Sequence, residues 1–176
     1  MAKPMSNFSF RLMTLFLSFR DLFINPADIL KKEAGIKPGL TVLDYGCGPG
    51  SFSIAAAKMV TGTGRIYALD ILPVAVDKVR REALKRNLTN IVTIQSECAT
   101  GLQDGSIDVV LLYDILHGLE KPNDILAEIH RVLTPDGILS FSDHHLKPEQ
   151  IESKINELGL FRLVTKGEKI YNFSKV

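Results

Sequence analysis

The stretch Val42-Leu43-Asp44-Tyr45-Gly46-Cys47-Gly48-Pro49-Gly50 decides how this chain is read. A short apolar run ends in an acid and then in a glycine-rich turn. Ser51 follows, and Phe52 to Val60 continue as an apolar helical stretch. The pattern is a strand that delivers a side-chain-poor loop into a helix N-terminus. Glycine lets the backbone take positive φ and lets a ligand approach the main chain. The start of a helix adds unpaired N–H groups. A Gly-x-Gly-x-Gly loop alone does not discriminate among nucleotide-binding folds, so its surroundings have to decide.

Outward from this loop, strand and helix patterns alternate from about residue 25. Asn25-Pro26 starts a helix, with Asn as cap and Pro at the first helical position. Asp28 adds a favourable charge in that first turn, Gly35 marks the stop, and Lys37-Pro38-Gly39 turns into the first strand. Strand-like runs recur at Thr41–Tyr45, Arg65–Ile71, Ile91–Ser96, Ile107–Tyr113 and Ile138–Ser142. Most are continuous rather than alternating, as in parallel strands covered on both faces. Helical stretches fall between them at Ser51–Val60, Pro73–Asn87 and Asn123–Leu133. In the last, Ile125, Leu126, Ile129, Val132 and Leu133 share a face, which puts His130 on the opposite, solvated side. Glu149–Leu158 reads as a helix ended by Gly159. Phe161–Lys166 and Lys169–Ser174 then read as a hairpin joined by Gly167-Glu168. This alternation predicts a doubly wound α/β domain with right-handed crossovers.

The bulk composition narrows the function classes. At 176 residues, 45% hydrophobic and 23% charged, the chain suits one globular domain spanning 1–176. A net charge of +1 gives no broad basic field, which argues against a nucleic-acid partner. The two cysteines, Cys47 and Cys98, are too few for a disulfide framework and match no zinc spacing. They read as reduced thiols of a cytoplasmic protein. Phe8 to Ile24 is rich in Phe, Leu and Met, but Arg11, Arg20 and Asp21 interrupt it. It therefore predicts neither a membrane span nor a signal peptide. Residues 1–24 are expected to form an amphipathic lid or substrate cover, or a helix that packs on the sheet.

Two acids follow the glycine loop at the ends of neighbouring strands. Asp70 closes the second strand, where an acid accepts hydrogen bonds from ribose hydroxyls or caps the helix that starts near Pro73. Glu97 lies in Ser96-Glu97-Cys98-Ala99 after the third strand, placed to accept from an adenine amino group or to stand in solvent. The loop and these acids together point to an adenosine-containing cofactor.

With these residues in view, the chain resembles the class I S-adenosylmethionine-dependent methyltransferases, nearest to their small-molecule group of quinone-biosynthesis and metalloid enzymes. Four blocks carry the likeness: Val42–Gly50; Ile66–Ile71 with Asp70; Asp104-Gly105-Ser106-Ile107-Asp108-Val109-Val110 leading into Asp114-Ile115-Leu116-His117; and Leu133-Thr134-Pro135-Asp136-Gly137-Ile138-Leu139. The resemblance implies a Rossmann-like, mostly parallel seven-stranded sheet with an antiparallel last strand. It implies S-adenosyl-L-methionine as cofactor and methyl transfer to a small, partly apolar acceptor, with no nucleic acid and no stable membrane insertion. Asp44 and the loop of Gly46, Cys47, Gly48 and Gly50 would hold the methionine portion, and Asp70 the ribose. Glu97 and Cys98 would frame the adenine, with Ile71 on its face, and the main chain near Asp114 would meet the methionine amine. Similar proteins often carry Gly-Asp-Ala where this chain has Ser96-Glu97-Cys98, and Glu is one methylene longer than Asp.

Methyl transfer from a sulfonium needs mainly positioning, with a base only when the acceptor arrives protonated. His117 follows the fourth strand, and His144 and His145 follow the fifth, at the strand ends where ligands of such sheets bind. His117 and His144 are therefore the candidate bases, against a reading as loop packing. No metal site is expected, because adjacent residues of a strand face opposite ways. Two other readings remain: a nicotinamide-dependent oxidoreductase, against which Ser51 stands at the third glycine position, and a non-catalytic cofactor-binding subunit.

Overall fold

The strands read as continuous apolar runs because helices cover both faces of the sheet. In β1 (Thr41–Tyr45), Val42 packs on one side and Leu43 on the other. In β4 (Ile107–Tyr113), Val109 and Leu111 join Val42, while Val110 and Leu112 join Leu43. Alternate side chains point to opposite faces, so every position must be apolar when both faces are buried. The computed structural model describes residues 25–176, and the expected lid over residues 1–24 lies outside them.

The chain runs α1 (Pro26–Lys32), β1, α2 (Ser51–Val60), β2 (Arg65–Asp70), α3 (Pro73–Lys85), β3 (Ile91–Gln95) and β4. A 3₁₀ turn, Leu116–Gly118, then leads to α4 (Pro122–Val132), β5 (Leu133–Ser142), α5 (Pro148–Ile155), β6 (Phe161–Lys166) and β7 (Tyr171–Lys175). The sheet order is β3-β2-β1-β4-β5-β7-β6. Strands β1 to β5 are mutually parallel, and β7 runs antiparallel to both β5 and β6. The chain winds outward through β1, β2 and β3, then crosses back to β4 beside β1. Ligands of open α/β sheets bind outside the carboxyl ends of the strands at such a reversal.

The helix starts follow local chemistry. Asn25 caps α1, its side chain accepting from the Ala27 N–H at 3.1 Å. Gly35, beyond its end, has φ +66°. Several boundaries differ from expectation. β2 stops at Asp70, leaving Ile71 48% exposed. α3 ends at Lys85, and Asn87 turns left-handed at φ +54°. α5 ends at Ile155 rather than Leu158. β5 starts at Leu133 rather than Ile138; Leu133 pairs with Ile107 across a register shift, so Thr134 to Gly137 belong to an irregular strand start. His130 is also a correction. It is partly rather than fully solvated: the ring packs edge-on against Phe161 at the start of β6, at 5.7 Å, and Nε2 lies 3.3 Å from the Val176 carbonyl oxygen.

Candidate active site

The glycine loop hangs from β2. The Gly46 and Cys47 N–H groups both donate to the Leu69 carbonyl, at 2.8 and 2.9 Å. A Cβ on Gly46 (φ +80°) would stand 2.7 Å from Ile115 Cδ1, and one on Gly50 (φ +90°) would stand 2.6 Å from Val79 Cγ2. These glycines are needed both for their conformation and for close packing. A Cβ on Gly48 would meet open space.

Asp70 ties this loop to the next helix. One carboxylate oxygen accepts from the Gly48 N–H at 2.8 Å, and the other from the Leu72 N–H at 2.9 Å. Burial raises its pKa, and these N–H groups partly oppose the rise. Asp44 lies beneath the loop, fully buried, and accepts from the Ser53 hydroxyl at 2.5 Å. Burial pushes its pKa up to about 6, against the Ser53 hydrogen bond. The Cys47 thiol is pushed far up by burial, then by Asp44 and Asp70, so it is held neutral.

A cavity of about 370 Å³ opens beside the loop. Five sequence-predicted residues line it: Gly46, Asp70, Ile71, Glu97 and Cys98. Asp44, Cys47, Gly48 and Gly50 do not; the contacts above place them in the loop and its support. Tyr45, Leu69, Ile115 and Asp124, given no site role in the sequence reading, also line the cavity, as does Lys121, which that reading did not single out. The Tyr45 hydroxyl donates to the Cys98 carbonyl at 2.8 Å, fixing the wall that carries Glu97 and Cys98. Farther along that loop, the Thr100 N–H and hydroxyl donate to Glu128 at 2.7 and 2.6 Å, and Arg131 donates to the Leu102 carbonyl at 2.9 Å. Arg131 also pairs with Asp104 and Glu128. The Arg131 hydrogen bond holds Glu128 down at about 2.

A second cavity, of about 290 Å³, lies beyond the ends of β4 and β5. Ile29, Phe52, Tyr113, Leu146 and Tyr171 give it apolar and aromatic walls, and Asp114, Ser142, Asp143, His144 and Lys169 its polar groups. Asp114 therefore borders this cavity rather than the first. The turns after β4 and β5 are cross-linked by two acid–imidazole pairs. Asp143, after β5, accepts from the His117 N–H and lies 3.0 Å from His117 Nδ1. Asp114, after β4, accepts from the His144 N–H at 3.0 Å and lies 2.8 Å from His144 Nδ1. The His145 ring lies between the other two, with centroids 4.0 Å from His117 and 3.9 Å from His144. Burial of Asp143 opposes its charge, but the His117 ring and the N–H groups of His117 and His145 outweigh it and lower its pKa. His117 itself does not line the second cavity; its partner Asp143 does.

A seven-stranded sheet of this order, with a glycine loop and an acid at adjacent strand ends, defines a Rossmann-like nucleotide-binding enzyme class. A family model described as "Methyltransferase domain" matches residues 36–173, and the chain belongs to that family. A demethylmenaquinone methyltransferase of Lactobacillus johnsonii is 32% identical over 108 residues, covering 60% of this chain and 44% of the relative. A ubiquinone/menaquinone biosynthesis C-methyltransferase of Hydrogenovibrio crunogenus is 30% identical over 141 residues, covering 78% of this chain and 55% of the relative. The chain thus spans about half the length of these two relatives. Among solved structures, a SAM-dependent methyltransferase from Aquifex aeolicus superposes with TM-score 0.75 at 27% identity, over 86% of this chain and 88% of that one. An arsenic(III) S-adenosylmethionine methyltransferase from Chlamydomonas reinhardtii shares the fold with TM-score 0.63 at 22% identity, over 80% and 63%. Family membership sets the nicotinamide reading aside. S-adenosyl-L-methionine is the cofactor this family implies.

Proposed function

We propose that this protein transfers a methyl group from S-adenosyl-L-methionine to a small, partly apolar acceptor seated in the second cavity. The observation that carries the reading is the site at the β1/β4 reversal, where the glycine loop, Asp70 and the 370 Å³ cavity meet. The residues present fit an adenosine-bearing ligand. Backbone N–H groups of Gly48, Leu72 and Ile71 donate to Asp70, whose two oxygens offer about four lone pairs, so one stays available for a ribose hydroxyl. Ile71, a large apolar side chain left half-exposed at the cavity, offers a face for the adenine. Glu97 is exposed at the same wall and accepts from the adenine amino group. Gly46 leaves the main chain open to the methionine portion, and Asp44 and Ser53 support the loop from below.

When bound, the cofactor supplies a methyl group already activated on a sulfonium, with a neutral thioether as leaving group. The protein's part is orientation. Holding two reactants in line contributes about 7–11 kcal/mol to lowering a barrier. The turn Asp114–Gly118 separates the two cavities, with Ile115 and Gly118 on one and Asp114 on the other. An acceptor at the polar end of the second cavity lies next to His144 and to Asp143, the partner of His117. An imidazole whose Nδ1 is held by a carboxylate has its tautomer and orientation fixed, and it takes the proton of an acceptor that arrives protonated. The net charge of +1 favours a small molecule over nucleic acid. Among the described residues no helix is long and apolar enough to cross a membrane, and the two free thiols accord with a cytoplasmic protein. The apolar composition of residues 1–24, which lie outside the described residues, supports a role for them as a cover of the acceptor site. Deleting them is expected to leave cofactor affinity intact and to abolish methyl transfer.

Isothermal titration of the purified chain with S-adenosylhomocysteine and with NAD tests the reading. One saturable site for the first and none for the second is expected. Binding of NAD alone would overturn it.

A further inference from the structure

We infer, on the methyl-transfer reading, that the acceptor is an aromatic ring with a carboxylate at one end and a hydroxyl at the other, and that Lys169 recognises the carboxylate. At about 290 Å³ the second cavity stands at the small end of ligand pockets, which suits a single ring. Its walls favour a flat one. Phe52 meets Tyr113 edge-on, with ring centroids 4.9 Å apart, and the Tyr171 ring closes a further side. Rings packed edge-on or offset gain beyond the area they bury.

Lys169 reaches the cavity from the turn between β6 and β7, which Glu33 holds in place. The Lys169 and Ile170 N–H groups both donate to Glu33 Oε2 at 3.0 Å, and the Asn172 side-chain amide donates to the Glu33 carbonyl at 2.7 Å. A Cβ on Gly167 would collide with the Glu33 carboxylate, so the turn sits directly on that acid. β7 lies on the far side of β5 from β4. Lys169 therefore enters opposite Asp114, across two strand spacings of about 4.8 Å each. A ring with groups at opposite ends bridges that separation.

The charges around the cavity decide which group goes where. Among the described residues no carboxylate pairs with the Lys169 ammonium. One oxygen of Glu33 is taken by the two N–H groups, and neither Glu33 nor the exposed Glu168 lines the cavity. Lys166 stands over the Tyr171 ring, its Nζ 5.3 Å from the centroid, and adds positive potential on this side. The acids that follow β4 and β5 are already engaged. Asp143 accepts from the His117 and His145 N–H groups, and Asp114 accepts from the His144 N–H and has a further partner. Carboxylates repel an anion and accept from a hydroxyl. The hydroxyl of the acceptor therefore goes to the Asp114 side, beside His144, and its carboxylate to Lys169.

The test is calorimetric titration of the full-length chain, in the presence of S-adenosylhomocysteine, with 4-hydroxybenzoate and with its uncharged isostere 4-hydroxybenzamide. The wild type is expected to bind the carboxylate about 5–10-fold more tightly than the amide, as one charge-assisted hydrogen bond at a partly solvated site supplies. Lys169→Met should remove the preference by weakening the carboxylate alone, and Lys169→Arg should keep it. Both variants should fold, because residue 169 is exposed and its N–H stays on Glu33. Equal affinity for the two compounds in the wild type would overturn the assignment, as would a preference unchanged in Lys169→Met or binding of neither compound. Titration with S-adenosylhomocysteine alone is a separate readout. A chain that binds the nucleoside but shows no carboxylate preference refutes the role of Lys169 alone, and one that shows the preference without binding the nucleoside refutes the methyl-transfer reading alone.

Discussion

Asp70→Ala separates two jobs that the structure gives to one carboxylate. Asp70 accepts one N–H from the glycine loop and one from the start of α3, at 2.8 and 2.9 Å. Hydrogen bonds to a charged group contribute about 1.5–3 kcal/mol each. Burial already penalises the Asp70 charge, and the freed N–H groups reach water once the loop relaxes. The net loss of stability is therefore about 1–3 kcal/mol, read as a fall in Tm of several degrees. Cofactor affinity should fall separately. Losing the ribose contact costs about 1.5–3 kcal/mol, or about 10- to 150-fold in Kd. Thermal unfolding without ligand and titration with S-adenosylhomocysteine read the two effects independently. Asp70→Asn, which keeps one acceptor oxygen, should fall between wild type and Ala in both. A folded Asp70→Ala protein with wild-type affinity refutes the ribose role, and one with wild-type stability refutes the tie between loop and helix.

Gly50→Ala should cost more stability than Gly48→Ala. Both carry positive-φ strain of about 1–2 kcal/mol, but only a Cβ at residue 50 meets Val79, at 2.6 Å, which adds about 1–3 kcal/mol of overpacking. Chemical denaturation of the two variants checks the order. Asp44 gives a pH dependence of defined sign. Its pKa rises from 3.8 unfolded to about 6 folded, so the native state binds the extra proton and stability falls as pH rises from about 4 to 6. Asp44→Asn should flatten that fall in denaturation curves taken across this range. His117→Ala should lower turnover on a protonated acceptor by about 10²–10⁴ while leaving S-adenosylhomocysteine affinity level. Full turnover in His117→Ala, in His144→Ala and in the double variant would mean catalysis by positioning alone.

The sheet was readable because burial on both faces writes itself as unbroken apolar runs such as Val109 to Leu112, and the loop because glycines cluster where φ turns positive. What escaped was set by distant partners. Helical spacing put His130 opposite the apolar face of α4 but carried no sign that Phe161 and Val176 would meet it. Thr134-Pro135-Asp136-Gly137 has turn chemistry, yet Leu133 pairs with Ile107 and draws the segment into β5. Asp114, Asp143, His117 and His144 were visible as residues after two strands. Their crossed pairing depends on the β4–β5 register, which no local pattern records. Asp44 and Asp70 were read as ligand contacts, and a linear pattern could not show that one also holds Ser53 and the other the loop.

The crystal structure of the full-length protein with S-adenosylhomocysteine tests the central claim most directly. The account predicts the adenine against Ile71 and Glu97, the ribose hydroxyls on Asp70, and the sulfur near Gly46, directed past the Asp114 turn toward the second cavity. A nucleoside bound away from the glycine loop, or a sulfur directed away from that turn, would contradict it.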